Sequence, residues 1–239
     1  MNPDPLAGIV LVVFDKDGTL IDFHAMWGGW VRTLAADLTR STGLAVTDML
    51  LDLLGVDRAT GVVNAHGLLA ATPMARIREA VVGALSSLGL GDAAAEVAVA
   101  EVWHAPDPVE LAHPLADLGL LLDELEARGI AVAIATSDNR QPTERTLEAL
   151  GITDRIRGLT CADDGFRAKP APDGLLHLCS SIGVAPSRTA MVGDSPNDLA
   201  MGRSAGAGRV IGVLTGVGDR ASLESADVIL ESVADLVPG

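Results

Sequence analysis

Cysteine is scarce in this chain of 239 residues: Cys161 and Cys179 are the only two, with no Cys-x-x-Cys pair and no histidine cluster beside them. That excludes a disulfide-stapled scaffold and a thiolate zinc site. Basic runs are missing as well. Seventeen lysines and arginines (17) face 32 aspartates and glutamates, for a formal charge of −15 and a pI of about 4.5. A surface of that sign repels nucleic acid and acidic membranes, so neither is expected as a partner. Long apolar runs are absent too. Residues 6–14 are too few to span a bilayer, follow no basic stretch and lead directly into Asp15. Neither an internal repeat nor a low-complexity tract occurs. The expectation is a soluble, reduced, cytoplasmic protein, working as a monomer or homodimer.

Lysine itself is rare, at positions 16 and 169 only, against fifteen arginines. Both lysines sit inside motifs. What the chain has in quantity is hydrophobic residues, 49% of the total, enough for a large buried core.

The first element is Ile9–Phe14, a continuous apolar run with β-branched residues, as in a strand buried on both faces of a parallel sheet. From 22 to 109 the apolar spacing turns helical (Leu34, Leu38; Ile77, Val81, Leu85), and glycines and Pro73 are expected to divide the stretch into several short helices. His104-Ala-Pro-Asp-Pro is a plausible return linker. Strand-like runs then recur at Ile130–Ala135, Ile156–Thr160, Thr189–Val192, Arg209–Val213 and Asp227–Leu230, with helical segments such as Leu118–Arg128 and Thr143–Leu150 between them. This alternation predicts an α/β fold with a parallel sheet, whose ligand lies beyond the carboxyl ends of the strands. Residues 1–21 and 110–239 would form the core domain, and 22–109 an inserted helical domain.

The polar residues cluster at those strand ends. Asp15 and Asp17 are two apart, so in extended backbone they project from one side while Lys16 points away. Two adjacent carboxylates repel unless a proton or a cation intervenes, and Mg²⁺ suits an all-oxygen set; a plain turn after a buried strand is the bland alternative. Gly193-Asp194-Ser195-Pro196-Asn197-Asp198 closes a second apolar run. Asp194 can supply a further oxygen, and Asp198 can hold a metal-bound water or a basic partner or simply cap the next helix. In Lys169-Pro170-Ala171-Pro172-Asp173 the prolines fix the backbone and aim an ammonium at a carboxylate cluster or a phosphate. Thr136, followed by Ser137, offers a hydroxyl and amides for phosphate oxygens.

These four pieces, in this order, resemble the haloacid-dehalogenase superfamily in its phosphoglycolate-phosphatase-like branch. Phe14-Asp15-Lys16-Asp17-Gly18-Thr19-Leu20 is similar to the first motif, Thr136 to the second, Lys169 to Asp173 to the third and Gly193 to Asp198 to the fourth. The resemblance implies a Rossmann-like core with a mobile helical cap, and a Mg²⁺-dependent phosphatase acting on a small phosphorylated metabolite. It implies Asp15 as nucleophile forming an aspartyl-phosphate, and Asp17 as general acid and then base. Mg²⁺ would sit on Asp15, the Asp17 carbonyl and Asp194, supported by Asp198, and Thr136, Ser137 and Lys169 would bind phosphate. The residue between the two aspartates is commonly apolar in this family, and here it is Lys16, for which little effect on the chemistry is expected.

The presence of Asp17 disfavours a dehalogenase, and the absence of lysine from 22–109 disfavours a phosphonate-cleaving enzyme with a cap lysine. A sugar phosphomutase and a catalytically silent binding protein on the same fold stay open. Substrate contacts in the cap are sought at His24 and Trp27, near Asp22, Phe23 and Trp30. Asn64-Ala65-His66-Gly67, Arg76 and Arg78 are further candidates. Trp27 and Trp30 share a helical face and are expected to pack the cap's own interior rather than wall a bulky leaving group.

Overall fold

The computed structural model describes residues 4–64, 67–72, 74–104, 109 and 112–237. Ala65 and His66 of the polar loop, Pro73, and residues 105–108 of the linker lie outside them. The chain divides into two compact units, Met1–Asp22 with Pro108–Gly239, and Phe23–Asp107.

The first unit is built on a six-stranded parallel sheet. Its strands are β1 (Leu11–Phe14), β2 (Ala131–Ala135), β3 (Leu159–Thr160), β4 (Thr189–Gly193), β5 (Arg209–Val213) and β6 (Val228–Leu230), in the order β3-β2-β1-β4-β5-β6. Every pairing is parallel. The order reverses on either side of β1, which makes the sheet Rossmann-like and opens a crevice at the carboxyl ends of β1 and β4. The register brings the two motif strands out together, since Phe14 pairs with Val192. Asp15 continues that ladder by donating its N–H to the Val192 carbonyl at 2.8 Å.

Side chains of β1 alternate between two apolar layers, as a strand covered on both faces requires. Val12 and Phe14 join Leu121, Leu125, Ile134 and Ile211 on one side. Leu11 and Val13 join Leu175, Leu178, Met191 and Met201 on the other. The strand at 156–160 is shorter than its apolar pattern suggests. Thr153–Arg155 forms a helical turn first, and pairing with β2 begins only at Leu159.

The second unit is helical. It opens with a 20-residue helix, α1 (Phe23–Thr42), which runs through Gly28 and Gly29 and stops before Gly43, one of the expected breaks. Gly28 lies so close to the Gly61 carbonyl that a Cβ would meet its oxygen at 2.6 Å, so this glycine serves packing and does not mark a break. Thr47–Leu54, Met74–Leu85 and Asp92–Val102 are the longer helices that follow. In them Leu50, Leu51, Leu54 and Leu85, with Ile77, Val81 and Val99, are buried, as are Leu34 and Leu38 of α1.

Phe14→Ala removes a fully buried ring from the central strand. It should cost the sheet unit about 3–5 kcal/mol of unfolding free energy in urea titrations.

Candidate active site

Four charged side chains meet where β1 and β4 end. Asp15 follows β1 directly, and Asp194 follows β4. Asp198 sits one turn into the helix Pro196–Ala205, and Lys169 comes from the loop after β3. Carboxylate oxygens of Asp15, Asp194 and Asp198 lie within 4.8 Å of one another, and all three residues are buried. Lys169 bridges two of them, donating from Nζ to Asp15 Oδ1 at 2.5 Å and to Asp198 Oδ1 at 2.6 Å. Three buried carboxylates thus share one ammonium.

Two of the carboxylates, Asp198 and Asp194, are also held from behind. Ser195 caps its helix reciprocally with Asp198: the Ser195 N–H and Oγ donate to Asp198 Oδ2 at 3.1 and 2.6 Å, and the Asp198 N–H donates to Ser195 Oγ at 3.3 Å. The capping role and the basic partner therefore coexist at Asp198. Asp194 accepts from Thr19 Oγ1 at 3.3 Å and from the Val217 N–H at 2.8 Å, and the Gly218 N–H donates to its carbonyl at 2.9 Å. The segment after β5 wraps this side chain so closely that a Cβ on Gly216 would fall 2.0 Å from Asp194 Oδ2. Thr215 ties the same segment to the first motif, donating from Oγ1 to the Gly18 carbonyl at 2.6 Å. Gly18 itself has φ +83°, and a Cβ there would meet Asp194 Oδ2 at 2.6 Å. Thr19 and the 215–218 segment have no role in the sequence reading. The available signal was Thr215-Gly216-Val217-Gly218 directly after an apolar run, the same position that marks Asp15 and Asp194.

Lys16 corrects an expectation. It does not point away: its buried ammonium donates to Asp17 Oδ1 at 2.6 Å and stands 3.1 Å from Asp138 Oδ2. Strand alternation stops applying at this residue, because β1 ends at Phe14 and the chain turns. The Lys16 carbonyl accepts the amides of Thr19, Leu20 and Ile21 at 3.4, 2.8 and 3.1 Å. Thr136 is buried at the end of β2, and its hydroxyl accepts the Asp138 N–H at 3.1 Å; Ser137 is exposed beside it. Thr136 and Asp138 follow β2, the strand next to β1.

His24 and Trp27 lie on α1 in the helical unit, both half-buried. His24 Nδ1 accepts the Val63 N–H at 3.1 Å, which leaves the ring proton on Nε2 when the imidazole is neutral. Trp27 packs edge-on against Trp30 with ring centres 5.7 Å apart, and Trp30 likewise against Trp103 at 5.4 Å. Trp30 is an interior residue, 1% exposed, donating from Nε1 to the His104 carbonyl. Arg76 and Arg78 pair with Glu79 and Glu96.

The family model for haloacid dehalogenase-like hydrolases matches residues 9–206, most of the chain and all four motifs. The chain belongs to this family. A phosphoglycolate phosphatase of Rhodospirillum rubrum is 34% identical over 204 residues, 82% of this chain and 76% of the relative. An N-acetylmuramic acid 6-phosphate phosphatase of Pseudomonas aeruginosa is 35% identical over 96 residues, a match covering 40% of this chain and 42% of that protein. Among solved structures, a subfamily IA haloacid-dehalogenase hydrolase from Geobacter sulfurreducens superimposes with TM-score 0.65 at 17% identity, covering 96% of this chain and 95% of that one. That likeness is one of fold.

Burial dominates the electrostatics of this hydrolase site. Burial pushes the Asp15 carboxyl up to about 6 despite the pull of Lys169, and the negative charges of Asp198 and Asp17 add to the rise. Burial, with Asp15 and Asp198 beside it, raises Asp194 well above the ordinary carboxylate range. Lys169 is also buried, which by itself disfavours its charge, but Asp15 and Asp198 outweigh that and hold it above the usual lysine value. Lys16 behaves likewise: burial opposes its charge and Asp17 and Asp138 more than restore it. Burial raises Asp138 first, and the Asp17 charge second, against the pull of Lys16.

The raised pKa of Asp15 has a sign in stability. In metal-free protein the native state keeps a proton that the unfolded chain loses between 3.8 and about 6. Its contribution is whole below 3.8 and is lost as pH rises through about 6. Metal-free wild type should therefore lose stability relative to Asp15→Asn as pH climbs through that window. Urea unfolding in a chelator checks this, and a pH-independent difference between the two proteins would contradict it.

Proposed function

We propose that this hydrolase is a Mg²⁺-dependent phosphatase that takes the phosphoryl group of a small phosphomonoester onto Asp15 and passes it to water. One observation carries the proposal: Asp15, Asp194, Asp198 and Lys169 converge at the switch point of the sheet, in a chain that belongs to a hydrolase family. The relatives named as phosphatases support the reaction class.

The donor set fits a divalent cation. It is all oxygen, buried, and short of positive charge, with three carboxylates to one ammonium. Asp15, Asp194 and the Asp17 backbone carbonyl are assigned as its holders, with Asp198 fixing Lys169 alongside. When bound, Mg²⁺ supplies positive charge for the oxygens of the transferring phosphoryl group.

The chain's own residues account for the bonds and protons. An Asp15 carboxylate oxygen attacks phosphorus as the bond to the leaving oxygen breaks. Asp17 is assigned to deliver a proton to that oxygen. Water then attacks the same phosphorus, surrenders a proton to Asp17, and frees Asp15 as the bond between them breaks. Lys169 holds Asp15 by one oxygen, and the Thr136 hydroxyl and Ser137, at the end of the adjacent strand, are assigned to the phosphoryl oxygens. Fixed donors around a reacting group give most of their benefit through positioning.

The helical unit, inserted straight after the first motif, is assigned as the cap that selects the phosphomonoester, with His24 and Trp27 as its first candidate contacts. Phosphoglycolate heads the substrates to try, because the relative named for it aligns over most of both chains; sugar phosphates follow. The free, buried Cys161 and Cys179 suit a cytoplasmic setting.

A panel of phosphorylated metabolites assayed with Mg²⁺ should reveal phosphate release from a preferred compound. Asp15→Asn should reduce it about 10⁴-fold or more. Equal hydrolysis by mutant and wild type would overturn the assignment. Sugar-phosphate isomerisation that needs a bisphosphate primer, without phosphate release, would make the chain a mutase.

A further inference from the structure

Lys16 is the one charged residue of the first motif without a part in the chemistry above. Its side chain is 1% exposed, and both of its partners are carboxylates, Asp17 at 2.6 Å and Asp138 at 3.1 Å. A buried ammonium carries a desolvation cost of several kcal/mol, and apolar residues often fill such positions at no loss of stability. Packing alone therefore gives no reason for a lysine here. The chain's other lysine likewise joins two carboxylates, holding Asp15 to Asp198.

At the far end of the Lys16 bridge the backbone is anchored. The Asp138 N–H donates to Thr136 Oγ1 at 3.1 Å, and its carbonyl accepts the Ala162 N–H at 2.8 Å. The near end is mobile by nature: an aspartate has two rotatable side-chain bonds and several staggered states, of which an ammonium on one oxygen selects a subset. Asp17 is only 18% exposed in its side chain, and no other side-chain partner of its carboxylate is found among the described residues.

We propose that Lys16 is a positioning residue for Asp17, pinning its Oδ1 to Asp138 so that the carboxyl group is already aimed at the leaving oxygen of the phosphomonoester. The proposal rests on the phosphoryl-transfer reading above. It works through orientation, and misplacement of a catalytic group by about 1 Å costs on the order of 10²-fold. An alkoxide needs the proton that Asp17 delivers; a p-nitrophenolate leaves without one. Losing the aim of Asp17 should therefore injure the first reaction and spare the second.

The test compares kcat/KM, which reports the steps up to departure of the alcohol, for an alkyl phosphomonoester and for p-nitrophenyl phosphate. Lys16→Met, with Mg²⁺ present, should lose about 10- to 100-fold on the alkyl ester and no more than about threefold on the aryl ester. If Lys16→Met fails to fold, Asp138→Ala carries the test, since that side chain is 37% exposed. Removing the anchor should give the same split, about 3- to 10-fold on the alkyl ester. Equal losses on both esters, or no loss on either, would overturn the proposal. Asp15→Asn in the same assay separates the two levels: if it is still active on both esters, the phosphatase mechanism has failed; if it is dead while the Lys16 split is absent, only the role of Lys16 has.

Discussion

The repulsion among three buried carboxylates is the constraint on which the rest of this site depends. Asp15, Asp194 and Asp198 have oxygens within 4.8 Å of each other, and burial strips away the water that would screen them. Lys169 relieves part of this by bridging Asp15 and Asp198, and a divalent cation would relieve the rest. The sheet makes the crowding unavoidable. Once Phe14 is in register with Val192, the residues just beyond β1 and β4 must emerge side by side.

Much local architecture serves to hold that arrangement. The serine cap fixes Asp198 at a helix start. The segment after β5 closes over Asp194 with an amide and leaves no room for a side chain on Gly216. Thr215 binds that segment to the first motif through the Gly18 carbonyl. Side chains far apart in sequence are thereby kept in fixed relative positions without help from solvent, the condition under which electrostatic positioning is most effective.

The parallel sheet and the charged residues at its strand ends were legible in the sequence, because a strand buried on both faces reads as an unbroken apolar run and its end is marked by a polar residue. The Asp15, Lys169, Asp194 and Asp198 cluster followed from that pattern and from motif order. Three things were not legible. Lys16 was misplaced because alternation was carried two residues past the end of β1, into a turn where the side chain reaches Asp17. The short length of β3 was hidden because Ile156–Thr160 reads as one strand-like run, whereas Thr153–Arg155 forms a helical turn and β3 begins at Leu159. The grip of residues 215–218 on Asp194 depends on backbone amides, which every residue but proline carries and which therefore leave no trace in residue type.

The central claim is that the phosphoryl group passes through Asp15. Rapid acid quenching during turnover of a labelled phosphomonoester, followed by peptide mapping, tests it most directly. The account predicts an acyl phosphate, labile to hydroxylamine, on the peptide carrying Asp15 and on that residue. Label on a different residue, or turnover with no labelled peptide at any quench time, would contradict it.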